Sequence, residues 1–373
     1  MSKRAVFEDV SGHAAEIAAM PAPRAEPARK AIFVWLMSLA LLVAIMVLVG
    51  GATRLTDSGL SITEWAPVMG AIPPMSAADW EAAFDAYKTT TEYQKQNNWM
   101  TLADFKPIYW WEWGHRLLGR LIGLVWFVGF VWFMIRRSIP DGWTGRLLLA
   151  GVLGGAQGAL GWWMVASGLT DRLDVAPYRL AAHLGLAFVI FALLLWYALR
   201  IRHDAVATLQ ARRRRDSRLM LWSGGLSALI FVQLLSGALV AGLDAGRGYV
   251  DWPLMQGEFM PTESFDLAPI WLNIFENPAL AQFNHRMLAY LIVVVGVLFV
   301  WRLLRSGHAR ISAWGARIGV VLILQVVLGI VTVMHAAPLD LALLHQAMAM
   351  VVVGALVHAR FEIAYPSEQK ITA

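Results

Sequence analysis

The stretch Ala31-Ile-Phe-Val-Trp-Leu-Met-Ser-Leu-Ala-Leu-Leu-Val-Ala-Ile-Met-Val-Leu-Val-Gly-Gly-Ala52 carries no charged side chain. At about 1.5 Å per helical residue it is long enough to cross about 30 Å of hydrocarbon. Further apolar runs follow at 108–135, 146–168, 177–200, 218–243, 279–304, 314–335 and 338–360. Runs of this length are not short buried strands, so the chain reads as an all-α integral membrane protein with eight transmembrane helices. The 373 residues support this, with 58% hydrophobic and only 15% charged, a balance no ordinary soluble domain shows.

Charge sets the topology. The net charge is +5, but the basic residues gather in loops between apolar runs, which speaks for orientation in a lipid bilayer and against nucleic acid. Arg136, Arg137 and Arg146, the run Arg212 to Arg215, and Arg305 with Arg310 mark a cytoplasmic side. The segment 53–107, rich in Asp, Glu and Trp, belongs on the periplasmic side of a bacterial inner membrane, and both termini then lie inside. Residues 1–30 read as a disordered cytoplasmic arm ahead of a retained anchor, 31–200 as an N-terminal half and 201–217 as a basic linker. Residues 218–361 form a C-terminal half, and 362–373 a cytoplasmic tail. The absence of cysteine excludes disulfides, zinc-thiolate sites, iron-sulfur clusters and thioether-linked haem.

The halves repeat. His-Arg-Leu-Leu-Gly-Arg-Leu-Ile-Gly at 115–123 is echoed by His-Arg-Met-Leu-Ala-Tyr-Leu-Ile-Val at 285–293. Gly51-Ala52 with Trp65 and Pro67 has a counterpart in Gly237-Ala238 with Trp252 and Pro253. Gln157 and Leu160-Gly161 echo Gln325 and Leu328-Gly329. Four spans per half is an even number, so the expectation is two similar four-helix bundles in parallel, same-orientation repeat.

The even-numbered spans each carry one histidine near the outer end: His115, His183, His285 and His345. Singly, a histidine near a helix mouth is as readily a packing residue as a ligand. Four at corresponding positions suit two imidazoles approaching one iron from facing helices in each half. Arg54, Arg116 and Arg286 stand where they could contact haem propionates, or could snorkel to headgroups. His13, His203 and His308 read as surface, His358 receives no role, and His335 is a weak candidate for ligand entry or a proton path.

The halves differ at one chemical position. Glu112 precedes His115 by three residues, on the same helix face, and Gln282 stands in the same relation to His285. A carboxyl at the edge of a low-dielectric pocket can serve in proton transfer unless a cation holds it ionised. This suggests a reactive N-terminal half and an electron-transferring C-terminal half; the alternative is that Glu112 anchors its helix start.

The stretch Gly50-Gly-Ala-Thr-Arg-Leu-Thr-Asp-Ser-Gly-Leu-Ser-Ile-Thr-Glu-Trp-Ala-Pro-Val-Met-Gly-Ala-Ile-Pro-Pro74, with Glu112-Trp-Gly-His-Arg, closely resembles the haem A synthase family. The resemblance covers nearly all the chain after residue 30. It implies oxidation of the C8 methyl of haem O to the formyl of haem A by successive hydroxylations, for haem-copper oxidases. It further implies a haem b cofactor on His285 and His345, substrate haem at His115 and His183, and a catalytic role for Glu112. Haem O synthase, haem-copper oxidase assembly and a quinone or other electron acceptor are the implied partners, and a homo-oligomer stays open. Family members often carry a cysteine pair that this chain lacks, so activity should survive thiol-blocking reagents. Competing readings are a di-haem b-type cytochrome exchanging electrons with quinone, and a haem transporter.

Overall fold

The computed structural model describes residues 25–170 and 172–367. Within them the chain forms eight helices long and apolar enough to cross a membrane. Span 1 is Ala25–Leu55, span 2 Leu102–Ile135, span 3 Thr144–Gly168 and span 4 Pro177–Ile201. Span 5 is Ser217–Gly242, span 6 Pro278–Leu304, span 7 Ala309–Met334 and span 8 Leu339–Ala364. In hydrocarbon a helix satisfies its own backbone, so each apolar run resolves as one continuous helix.

Some boundaries move by polar capping that hydropathy does not register. Span 2 starts six residues before the expected 108, because Thr101 and Asp104 form a capping box; Pro107 is then inside the helix. Residues 25–30 belong to span 1, not to the arm, and the rest of the proposed arm, with His13, lies outside the described residues. The linker is not structureless: Ala205–Arg213 is a helix whose N-terminal amides are accepted by Asp204. Asp216 caps span 5 in the same way. Span 8 runs to Ala364, and residues 368–373 of the proposed tail are outside the description.

Spans 1 to 4 close a ring of neighbours, as do spans 5 to 8. Each ring has its own apolar core, one around Leu36, Leu147 and Phe188 and the other around Leu226, Phe299 and Ile318. Spans 1, 4, 5 and 8 make the seam between halves. There Gln346 donates to the Val47 carbonyl at 2.9 Å, and Leu235 fills the space beside Gly185. At the end bearing the long loops, Arg54 binds Asp244 at 2.9 Å, and Arg172 grips both oxygens of Glu276 at 3.1 and 2.7 Å.

The long loop of the N-terminal half folds into a cap. Helix Ala77–Lys88 packs Phe84 and Tyr87 against Phe105 and Tyr109 at the extended start of span 2. Trp80 meets Tyr109 and Trp110 edge to face, and Trp110 meets Trp113, so Trp80 and Trp113 of the expected interfacial belt pack into the cap. Trp65, Trp99, Trp110 and Trp111 remain exposed.

Candidate functional site

All four inner histidines lie on even-numbered spans, and each is half-buried. His115 and His183 are within electrostatic reach of each other, and so are His285 and His345.

Each imidazole rests against a glycine of the preceding span. A Cβ on Gly50 would stand 2.8 Å from Cε1 of His115. On Gly161, Gly237 and Gly329 it would stand 3.0 Å from Cε1 of His183, His285 and His345 respectively. These glycines are needed for space, because any side chain would displace the ring. The contact also corrects the repeat: Gly50, not Gly51, is the counterpart of Gly237, while Gly51 faces Gln346.

Three of the rings share a second neighbour. The Gln157 amide nitrogen is 3.2 and 3.3 Å from the ring nitrogens of His183; that of Gln233 is 3.1 and 3.2 Å from those of His285. The Gln325 amide nitrogen is 3.3 Å from both ring nitrogens of His345. Gln157 and Gln233 also donate to the backbone carbonyl of their histidine, at 2.9 and 3.0 Å. The three Oε1 atoms are buried with no hydrogen-bond partner among the described residues.

That combination fits an axial ligand set. A histidine that binds a metal through one ring nitrogen needs an acceptor for the N–H of the other; each glutamine turns Nε2 to the ring and keeps a buried, unused Oε1 that would serve once the amide turns over. Paired imidazoles on facing helices, with space kept by glycine, could hold a haem in either half. Among the described residues no group of three or more His, Asp or Glu side chains gathers around a point.

Glu112 is buried, and both its oxygens are saturated. Oε2 accepts from Ser61 Oγ at 2.7 Å and from the Ile62 amide at 2.8 Å. Oε1 accepts from Arg116 Nε at 3.1 Å and Nη2 at 2.6 Å. Arg116 in turn donates to the carbonyls of Ile62 and Glu64 at 2.7 and 2.9 Å. The cation that the sequence left open is therefore present.

The other half repeats the clasp with different polarity. Arg286 donates to the carbonyls of Tyr249, Asp251 and Leu254 at 2.9, 2.9 and 2.8 Å. Gln282 donates to Tyr249 O at 3.0 Å, and its Oε1 lies 3.4 Å from Arg286 Nη2. Arg54 meets Asp57 at 2.9 Å and Asp174 at 3.5 Å in addition to Asp244. All three arginines proposed for propionates are thus engaged by protein acceptors.

The remaining histidines among the described residues stand apart from these pairs. His335 is exposed at the end of span 7, with Nδ1 2.8 Å from Val331 O. His358 stacks on Trp314 at 4.5 Å between centroids, and His203 packs on Phe361. The sequence reading missed the glycine cradles and Gln233. The signal was legible as Gln, three residues, Gly, at 157–161, 233–237 and 325–329.

Near the cap, Glu92 is buried and its Oε2 has no partner among the described residues. Burial pushes its carboxyl up to about 8. The Tyr87 hydroxyl opposes that shift by hydrogen bonding, while the carboxylates of Asp174, Asp57 and Glu112 add to it.

The sequence has close relatives among known proteins. A family model described as cytochrome oxidase assembly protein, COX15-CtaA, matches residues 33–357. The heme A synthase of Dinoroseobacter shibae is 55% identical over 378 residues, covering 98% of this chain and 97% of that protein. The heme A synthase of Ruegeria pomeroyi is 56% identical over 372 residues, covering 98% of each. That of Paracoccus denitrificans is 54% identical over 345 residues, 92% of this chain and 91% of its own. With most of its length matched and more than half its residues shared, this chain belongs to the cytochrome oxidase assembly protein family.

Proposed function

We propose that this chain is a haem A synthase, an oxidoreductase that converts the C8 methyl of haem O to a formyl group by successive hydroxylations. The observation that carries the reading is near-full-length similarity to relatives named heme A synthase. Two histidine pairs, one per half, supply the ligands such an enzyme requires. His285 and His345 hold a resident haem b, and His115 with His183 bind the substrate haem. When bound, the resident haem supplies one-electron transfer toward a quinone or other acceptor.

The division of labour rests on differences between the rings. Spans 2 and 3 touch less than spans 6 and 7, and a Cβ added at Gly154, Gly155 or Gly158 of span 3 would meet nothing within 4 Å among the described residues. A groove there would receive the farnesyl tail of haem O, whose exposure to water is unfavourable. In the same half Glu112 holds a fixed negative charge three residues from His115. Held by four donors, it needs no reorganisation to stabilise positive charge developing at the oxidised methyl. Arg54 and Arg286 each keep a buried Nε with no partner among the described residues, a donor for a propionate that leaves their other contacts in place.

The basic loops support a topology with both termini in the cytoplasm of a bacterial cell and the histidines toward the periplasm. An enzyme forming haem O supplies the substrate, and haem-copper oxidase assembly consumes the product. The test is haem extraction after co-expression with a source of haem O. Haem A formed only with this protein supports the reading; unchanged haem O overturns it in favour of a di-haem cytochrome.

A further inference from the structure

Four spans present the same local unit: a glycine that makes room for an imidazole, preceded by one residue a turn earlier on the same face. In spans 3, 5 and 7 that residue is Gln157, Gln233 and Gln325. In span 1, four residues before Gly50, it is Met46. The exception has a structural consequence. Nδ1 of His115 is buried with no hydrogen-bond partner among the described residues, whereas the other three rings each lie against a glutamine amide. The Met46 Cε atom instead lies 3.5 Å from where a Cβ of Gly119 would stand, one turn further along span 2 from His115.

We infer that Met46 makes His115 the exchangeable ligand of the N-terminal site, the one that lets the substrate haem leave. This rests on the reading of His115 and His183 as the substrate-haem pair. An acceptor on the far nitrogen of a ligating imidazole fixes the ring plane and raises its basicity, and losing it typically lowers metal affinity about 10- to 100-fold. Gln157, Gln233 and Gln325 turn Nε2 to the rings here, and each becomes that acceptor on ligation by turning its amide over to present the buried, unpartnered Oε1. A thioether is only a weak acceptor and carries no N–H. The C-terminal pair is braced at both rings, by Gln233 and Gln325, as a permanent cofactor requires. The N-terminal pair is braced at His183 by Gln157 and left unbraced at His115. Opening then begins at a defined bond: the His115 imidazole lets go, and His183 keeps the haem until it is handed on. Gln157 and Met46 thus set an order of release that two equivalent ligands would lack.

The experiment uses the purified full-length protein in detergent with its copurifying haem, to which further ferric protohaem is added as the probe. Transfer of the added haem to apomyoglobin gives its dissociation rate, and the visible and electron paramagnetic resonance spectra give its low-spin bis-histidine fraction. Met46→Gln is expected to slow dissociation about tenfold or more and raise the low-spin fraction. Met46→Leu is expected to match the parent protein. Gln233→Met, the reciprocal change, is expected to loosen the copurifying haem while leaving the added haem unaffected. If Met46→Gln leaves dissociation unchanged while His115→Ala speeds it, the inference fails and the assignment of His115 stands. If His115→Ala also changes nothing, the assignment of the N-terminal pair fails with it. Dissociation that speeds up in Met46→Leu would make the thioether itself a ligand and overturn the inference.

Discussion

The clasps that fasten the two long loops to spans 2 and 6 are built alike and finished differently. In both, an arginine following the histidine reaches loop carbonyls, those of Ile62 and Glu64 in one half and of Tyr249, Asp251 and Leu254 in the other. In the N-terminal half the loop also turns a hydroxyl and an amide N–H toward the helix, and a carboxylate meets them. In the C-terminal half the loop turns a carbonyl, and an amide meets it. The exchange of Glu112 for Gln282 is therefore complementary to the loop on each side. A buried carboxylate is tolerable only where donors surround it, and the N-terminal loop provides them. The difference teaches that a fixed charge beside His115 is supported by the scaffold of that half and could not be moved to the other by one substitution.

The largest expected contrast is in haem retention. His285→Ala or His345→Ala should remove essentially all haem b from the purified protein. His115→Ala or His183→Ala should leave it in place and abolish haem A formation, as read from the pyridine haemochrome and from extracted haems. Haem b that survives loss of His285 or His345 would break the division between halves.

Next comes the clasp itself. Glu112→Gln should lower haem A formation by about 100-fold or more with resident haem retained, the range seen when a preorganised electrostatic contact is lost. Part of that loss is structural, because an amide nitrogen would face either Ser61 and the Ile62 N–H or Arg116, at a cost of about 1–3 kcal/mol. Gln282→Glu should show the structural part alone: a carboxylate oxygen facing Tyr249 O lowers the melting temperature, while turnover per folded molecule stays within a few-fold of the parent. Equal losses of turnover in the two variants would mean that Glu112 has no role beyond anchoring.

A smaller contrast separates the loops by pH. Glu92 in the N-terminal cap is pushed up to about 8, whereas Glu263 in the other loop is held below its ordinary range by the Tyr249 hydroxyl. Folded protein therefore binds a proton at Glu92 that the unfolded chain has released between the ordinary carboxylate range and pH about 8. Stability from this group is complete below that window and is lost as pH rises through it. Glu92→Gln should raise the melting temperature above pH about 8 by roughly 2–4 °C and converge with the parent in acid. A pH profile that Glu92→Gln leaves unaltered would assign the cap's alkaline sensitivity elsewhere.

Some of this was on the surface of the sequence. The run from Ala31 to Ala52 is uninterrupted because hydrocarbon admits no unpaired backbone, and the same constraint made the other seven spans readable, with the starts of spans 2 and 7 displaced by more than one turn. Span 2 was misjudged at its start because Thr101 and Asp104 act through local hydrogen bonds that an apolar average hides. The histidines were legible because ionisable groups are rare in such runs.

Sequence by itself determined the helices, their number, the duplicated order and the identity of the four imidazoles. Those follow from local composition and from spacing along one chain. Only the tertiary structure decided that each imidazole leans on a glycine of the span before it, that three have a glutamine and His115 does not, and that Glu112 is enclosed by Ser61, Ile62 and Arg116. These are contacts between segments tens of residues apart. Their meaning depends on which helix faces meet, and packing in three dimensions fixes that.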